Sequence, residues 1–168
     1  MTSRMQIPHI PPDRQITNRE GRHRGYHAPP EPAVCPECGN VYRHRRWTQP
    51  TVPSLLEGAT SVVCPACRAE KSGIAGGYLH LEGQFLMNHR DELLRLLHNE
   101  AERADENNPL ARIMEIETDE EGRTTVKTTT ENLAQRLGRA LESAFHGEVH
   151  YVFSRVNKLT HVWWQREE

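Results

Sequence analysis

The sequence predicts an α+β protein: a four-cysteine zinc ribbon, a long helix and a small ββαββ antiparallel-sheet domain, preceded by a disordered basic N-terminal arm. Three observations predict this class. All four cysteines stand in two Cys-x-x-Cys pairs, a long amphipathic stretch follows them, and the last third combines β-branched runs with one apolar helical face. The 168 residues suffice for one domain or two small ones.

Residues 1–32 form the predicted flexible arm, because their six prolines exclude a regular helix or a central strand. Arginines alternate here with histidines and a tyrosine, a composition suited to phosphates and unpaired bases. We expect Arg19, Arg22 and Arg24, clustered around two glycines, to contact RNA. The alternative is a solvated tail without a role.

The two cysteine pairs predict a metal site in a module of residues 33–71. The predicted ligands are Cys35, Cys38, Cys64 and Cys67. Four thiolates complete the tetrahedral shell of a structural zinc ion and leave no open position for catalysis. Gly39 permits the positive φ that turns backbone amides toward a sulfur. Two disulfides or four unrelated core cysteines are the alternatives, but disulfides need an oxidising compartment and no apolar export signal precedes the pairs. We therefore expect zinc as the cofactor and a cytoplasmic location.

The densest basic run of the chain follows the first pair and consists of Arg43, His44, Arg45 and Arg46, ending at Trp47. We expect the arginines to bind RNA phosphates and the tryptophan to stack on bases. The alternative is an exposed charged strand with the tryptophan packed on the metal site. The histidine could replace a cysteine as ligand, but four thiolates make that unnecessary. Residues 48–60 are predicted as a loop, and Val62 and Val63 as a strand leading to the second pair.

Residues 72–108 are predicted as a short strand and a linking helix. Three glycines mark a junction, residues 78–81 alternate, and leucines at spacings of three and four predict a helix from about 84 to 107. His89 and His98 lie nine residues apart, which favours polar-face residues over metal ligands.

Residues 109–168 predict the ββαββ domain, with one helix packed on a small antiparallel sheet. Strands are expected at 112–117 and 123–129, and Thr130 caps the following helix. Two further strands follow Gly147, which ends that helix.

Charge divides the chain. Residues 1–71 hold ten Lys/Arg and six Asp/Glu, whereas the remainder holds eleven and seventeen. The basic part suits a partner with phosphates, and the acidic C-terminal domain suits a cationic protein. No stretch approaches the length of a membrane helix, so we expect no membrane partner. No catalytic constellation stands out, so we do not expect an enzyme; oxidation of the thiolates remains a generic alternative.

The cysteine pairs, residues 81–86, residues 109–113 and the Thr-rich entry to the last helix resemble the N-terminal zinc-binding part of the large-ribosomal-subunit export adaptor (Nmd-three) family and its small bacterial relatives. The likeness runs from about Val34 to Trp164. It implies a non-catalytic protein that associates with the ribosome, ribosomal RNA or other structured RNA, for example as a stress or hibernation factor. The export adaptors carry a long C-terminal extension that this sequence lacks, so nuclear export is not implied. The alternative function is a zinc-stapled protein–protein adaptor that uses the acidic C-terminal domain.

Overall fold

Two sheets and one long helix dominate the fold, as the α+β prediction requires. The computed structural model describes residues 28–50, 57–154 and 159–168. Arg19, Arg22 and Arg24, predicted to contact RNA, therefore lie outside the described residues, as does most of the predicted arm.

The first sheet is small and surrounds the cysteines. Its strands are β1 (Ala33–Val34), β2 (Val41–Arg43), β3 (Arg46–Thr48) and β4 (Thr60–Ser61), in the order β3-β2-β1-β4. β1 pairs antiparallel with β2 and parallel with β4. Strands of two or three residues have few ladder hydrogen bonds, so this sheet needs another source of stability.

The second cysteine pair opens a short helix that the sequence analysis did not predict. Helix α1 (Pro65–Ser72) has Cys64 as its N-cap and ends at Gly73, whose φ is 69°. The predicted strand at Val62 and Val63 is corrected: the strand lies two residues earlier, in β4. Pro65 at the first helical position and Gly73 just past the end are ordinary helix signals, and both are visible in the sequence.

The second sheet has five strands and two helices. Along the chain these are β5 (Gly77–Glu82), α2 (Gln84–Asn107), β6 (Ile113–Thr118), β7 (Thr124–Thr128), α3 (Glu131–Phe145), β8 (Glu148–Phe153) and β9 (Thr160–Gln165). The strand order is β6-β7-β5-β9-β8. Both helices pack on one face, where leucines of β5, α2 and α3 form the core with Trp164.

The sheet corrects the predicted ββαββ domain. Its elements occur in the predicted order, but β5, which was assigned to the linking segment 72–108, is the central strand. It pairs antiparallel with β7 and parallel with β9, so the sheet is mixed. Gly77 allows α3 to approach β5, since a Cβ there would lie 2.6 Å from the Ala134 Cβ. The alternating pattern of a short strand does not indicate that it pairs with β7 and β9, which lie far along the chain.

The other face of the sheet carries a ring cluster on β5 and β9. Tyr78 is paired with His161, and His80 with Trp163. Ring centroids are 4.7 Å apart in each pair. His80 and His161 are diagonal neighbours on β5 and β9, and His80 Nε2 lies 3.0 Å from His161 Nδ1. On its other side, His80 Nδ1 lies 3.3 Å from Thr125 Oγ1. Neutral imidazoles can share this hydrogen bond, whereas two protonated ones would oppose N–H groups.

This cluster predicts acid sensitivity. Burial, together with the charge of His161, lowers the pKa of His80 to about 4, and burial lowers the pKa of His161 to about 4. The unfolded chain titrates near about 6.5 and so binds more protons between these values. The free energy of unfolding should therefore fall as the pH drops from about 6.5 to about 4.

Urea unfolding at a series of pH values checks this expectation. The double variant H80Q/H161Q should lose less stability on acidification than the parent, because it lacks both protonation sites. His150→Gln removes an exposed histidine and serves as the control. Equal acid dependence in all three proteins would contradict the assignment.

Candidate metal centre and basic hairpin

The first cysteine pair lies in the turn between β1 and β2. The Cys35 N–H donates to the Asn40 carbonyl at 2.8 Å, and the Gly39 N–H donates to the Cys35 carbonyl at 2.9 Å. Gly39 has φ +80°, the left-handed conformation that its lack of a side chain allows. The turn thus has the tight conformation that Gly39, directly after the first cysteine pair, predicts.

The second pair lies at the N-terminus of α1. The Cys67 N–H donates to Cys64 Sγ at 3.5 Å, and the Cys64 N–H donates to Cys35 Sγ at 3.3 Å. The partial positive charge of a helix N-terminus and donated N–H groups both favour thiolates. These N–H groups therefore offset part of the cost of burying a thiolate at Cys35 and Cys64.

The four predicted ligands converge. Their Sγ atoms all lie within 4.8 Å of one another, and the Cys38 and Cys64 sulfurs are 3.7 Å apart. A tetrahedral ion with metal–sulfur bonds of about 2.3 Å needs sulfurs about 3.8 Å apart. All four are free cysteines, so the disulfide alternative is not realised. By donor type and spacing, the cluster could hold a metal ion.

Burial opposes the thiolate form at three of the four cysteines. Burial raises the pKa of Cys35, but N–H groups of Cys64, Cys38 and Glu37 lower it to about 7. Burial raises the pKa of Cys64 and of Cys67, in spite of hydrogen bonds that lower them. Four adjacent thiolates, three of them buried, would repel one another, and a bound metal ion would supply the charge that holds them together.

Arg112, between α2 and β6, reaches the cluster from the second sheet. Its Nη1 donates to Cys67 Sγ at 3.4 Å and to Glu70 Oε2 at 3.2 Å, and its Nε donates to the Pro109 carbonyl at 3.1 Å. Burial lowers the pKa of Arg112, but hydrogen bonds to Cys67 and Cys38 raise it above its usual value. Sequence reasoning missed this residue, because nothing marks an arginine 45 positions from the cysteine it contacts.

The basic run forms a tight hairpin. His44 and Arg45, with φ of 52° and 62°, make the two-residue turn between β2 and β3, and Arg43 pairs with Arg46 across it. The side chains of Arg45 and Arg46 are exposed, and Arg43 is half-buried. We call residues 43–47, which end at Trp47, the basic hairpin.

The tip of the basic hairpin holds a carboxylate of the chain itself. Glu31 Oε2 accepts from the His44 N–H at 3.3 Å, and Glu31 Oε1 accepts from the Arg45 N–H at 2.8 Å. Successive N–H groups in such a turn form a concavity that binds anions. The arginines around it add positive charge.

Trp47 is placed differently from the arginines. Its side chain is only 6% exposed and packs beside Tyr42, with ring centroids 5.4 Å apart. Both rings belong to the buried cluster that contains three of the cysteines. The geometry favours the packing alternative, since a buried ring offers no face to a base.

The histidines considered as ligands stay outside the metal site. Within the described ranges, the group with metal-ligand spacing consists of the four cysteines alone. His44 stands at the hairpin tip, and His89 Nδ1 lies 3.2 Å from Glu92 Oε1.

Arg112 should tune metal affinity. Removing its donation to Cys67 makes the thiolate harder to form, so Arg112→Ala should weaken zinc binding by about 10–100-fold. Chelator competition at neutral pH measures this. Arg136→Ala removes a partly exposed arginine bound to Glu100 in the same sheet domain and should leave zinc affinity unchanged. Equal affinities in the two variants would show that Arg112 does not act on the sulfur.

Comparisons with known proteins give no indication of function. No family model matches the chain, and searches of curated proteins and of solved structures found no significant match. Among the described residues, no helix is both long and apolar enough to span a membrane. The cysteine cluster and the basic hairpin are therefore the features of the described residues that bear on function.

Proposed function

We propose that the protein is a non-catalytic, cytoplasmic zinc protein that associates with the ribosome or another structured RNA through its basic hairpin. The observation that carries this proposal is the union of a four-sulfur cluster with an arginine-rich turn in one small module. The metal is structural, since four protein thiolates leave no position for a substrate.

Zinc is the metal that the donors favour. Thiolate sulfurs in a tetrahedral set suit zinc or iron–sulfur chemistry, and isolated tetrahedral sites with four cysteines are typical of structural zinc. The short strands around the sulfurs and the knuckle at Gly39 are consistent with the zinc-ribbon prediction. Reduced thiols are maintained in the cytoplasm, which supports the predicted location.

RNA is the partner that the hairpin favours. Arg43, Arg45 and Arg46 project from two paired strands whose tip also presents two backbone N–H groups. Arginine forks and such N–H groups both bind phosphate oxygens. In the sequence, Arg19, Arg22 and Arg24 precede this module and would extend the basic surface along a nucleic-acid backbone.

The resemblance to the Nmd-three family narrows the partner to the ribosome. It supports association with ribosomal RNA, and a stress or hibernation factor that occupies a functional site is compatible with a non-catalytic role. This part of the proposal depends on the resemblance and on the charge of the module.

An adaptor function is the second candidate, because an acidic groove lies between the end of α2 and β6. The groove has a volume of about 630 Å³. Its acidic lining residues are Glu102, Asp105, Glu106 and Glu115. Such a groove suits a cationic peptide, and a complex that survives ribonuclease treatment would favour this function.

Metal analysis tests the zinc assignment. Freshly purified protein should contain one zinc per chain, and Cys64→Ser should lose it, because three thiolates hold the ion less well. The loss should unfold the small sheet, which circular dichroism and Trp47 fluorescence would report. Ser61→Ala changes an exposed residue nearby and should retain the metal. Protein without zinc, or with an iron–sulfur chromophore, would contradict the assignment.

Filter binding to ribosomal RNA at several salt concentrations tests the hairpin. Replacing Arg43, Arg45 and Arg46 by Ala should weaken binding and flatten the salt slope by about two to three units, since each phosphate contact contributes about 0.7–0.9 unit. The control replaces Arg90, Arg95 and Arg103, exposed arginines of α2. If both triple variants lose the same slope, binding follows net charge and the adaptor function takes first place.

Glu31→Gln tests the anion-binding tip. The variant removes a negative charge that occupies the two N–H groups, so RNA should bind more tightly and with a steeper salt slope. Glu57→Gln removes an exposed carboxylate elsewhere in the module and controls for charge alone. If the two variants tighten binding equally, the tip holds no RNA phosphate.

A further inference from the structure

The edge strand β8 exposes an apolar surface that the proposed function does not use. Tyr151, Val152 and Phe153 are consecutive, and their exposed fractions are 45%, 38% and 56%. Among the described residues, Met87 is the only other large hydrophobic residue with comparable exposure. Three adjacent exposed apolar side chains on an edge strand mark a surface that can bind another strand.

The two edges of the five-stranded sheet differ in protection. Edge strand β6 has a register irregularity between Ile113 and Glu115, and it carries Glu115 and Glu117 beside Lys127. Bulges and charges of this kind blunt an edge against pairing. Edge strand β8 pairs with β9 in unbroken register over six residues and contains neither lysine nor proline. Only β8 therefore offers a regular edge.

The pairing with β9 shows which backbone groups face outward. The Ser154 N–H donates to the Leu159 carbonyl at 2.9 Å, one position beyond the pair Phe153 and Thr160. Hydrogen-bonded and non-hydrogen-bonded pairs alternate along an antiparallel ladder. The N–H and C=O groups of Val149, Tyr151 and Phe153 hence point away from β9.

The side chains of these same three residues lie on the helix-covered face. Tyr151 is paired with Val162, a core residue, and its ring lies beside Gly138 of α3. A groove of about 420 Å³ follows this edge, lined by Arg139 and Glu142 as well as by β8. The groove thus joins an apolar strip to one positive and one negative side chain.

We propose that β8 pairs antiparallel with β8 of a second copy of this chain, about a two-fold axis at Tyr151. In this register Tyr151 faces its own counterpart, and Val149 faces Phe153 of the partner subunit. The outward groups are centred on Tyr151, so each N–H meets a C=O of the other copy. The two five-stranded sheets become one continuous sheet of ten strands.

A second copy suits this edge better than other occupants. The two-fold operation keeps Val149, Tyr151 and Phe153 of both copies on one face, because directly opposite residues share a face in antiparallel pairs. Arg139 and Glu142 both line the groove, so each copy brings one positive and one negative side chain to the contact and no excess of either charge. The protected β6 edge disfavours open head-to-tail growth from β8 to β6, so the assembly closes as a dimer.

Sedimentation equilibrium of the full zinc-loaded chain over a concentration series tests the proposal. The parent should be a dimer. Phe153→Lys should raise the dimer dissociation constant by at least about tenfold, since each dimer loses two buried phenylalanines. Met87→Lys removes an equally exposed apolar side chain away from β8 and should remain a dimer. Circular dichroism verifies that both variants are folded.

Amide hydrogen exchange gives a second readout on the unaltered protein. On dilution from dimer to monomer, the amides of Val149, Tyr151 and Phe153 should lose protection, whereas those of His150 and Val152 should stay protected by β9. A monomeric parent, a dimer that Phe153→Lys leaves intact, or odd-numbered amides that exchange freely at every concentration would each overturn the proposal. RNA binding plays no part in either measurement.

Discussion

The convergence of four sulfurs is the constraint on which the rest of the first module depends. Its strands contain two or three residues each, too few to be stable alone in water. The cysteines join the β1–β2 turn to the start of α1, and Tyr42 and Trp47 pack on them. Metal binding contributes about 10–16 kcal/mol of apparent folding free energy to modules of this kind. The orientation of the basic hairpin therefore depends on the cysteine cluster, because Trp47 at its base packs in the same group of buried residues.

The metal centre is also coupled to the larger sheet. Arg112 contacts a cysteine sulfur, and Leu110 packs against the cysteine cluster, while both lie on the segment that leads into β6. Asn40 Nδ2 also donates to the Pro109 carbonyl at 3.5 Å. A hydrogen bond to sulfur is strongest when the sulfur is a thiolate. The ionisation state of the cluster thus bears on how firmly the two sheets are held together.

The sequence was sufficient to predict the α+β class and the convergence of the four cysteines, because cysteine spacing and helical periodicity are local signals. It also predicted α3 and its cap, since Thr130 Oγ1 accepts from the Leu133 N–H at 3.2 Å. Two long-range features were not predicted: the central position of β5 and the contact of Arg112 with Cys67. For Trp47, packing beside the cysteines was one of the two alternatives that the sequence left open. Helix α1 was missed for a different reason: its signals, the Cys-Pro start and Gly73, were present, but the sequence analysis assigned the second pair only to the metal site and the glycine to a junction. RNA contacts were predicted from charge and remain a prediction.

The central position of β5 has a consequence for how the protein is made. β5 needs β7 on one side and β9 on the other, and its β9 partners lie about half the chain length further on. Because β9 follows both β5 and β7 along the chain, the middle of the sheet stays open until β9 has been synthesised. Parallel pairing over such a separation is slow, and an unpaired strand edge invites wrong partners in the meantime. The nascent chain can therefore complete the small cysteine-containing sheet early, whereas the larger sheet must wait for β9 to emerge.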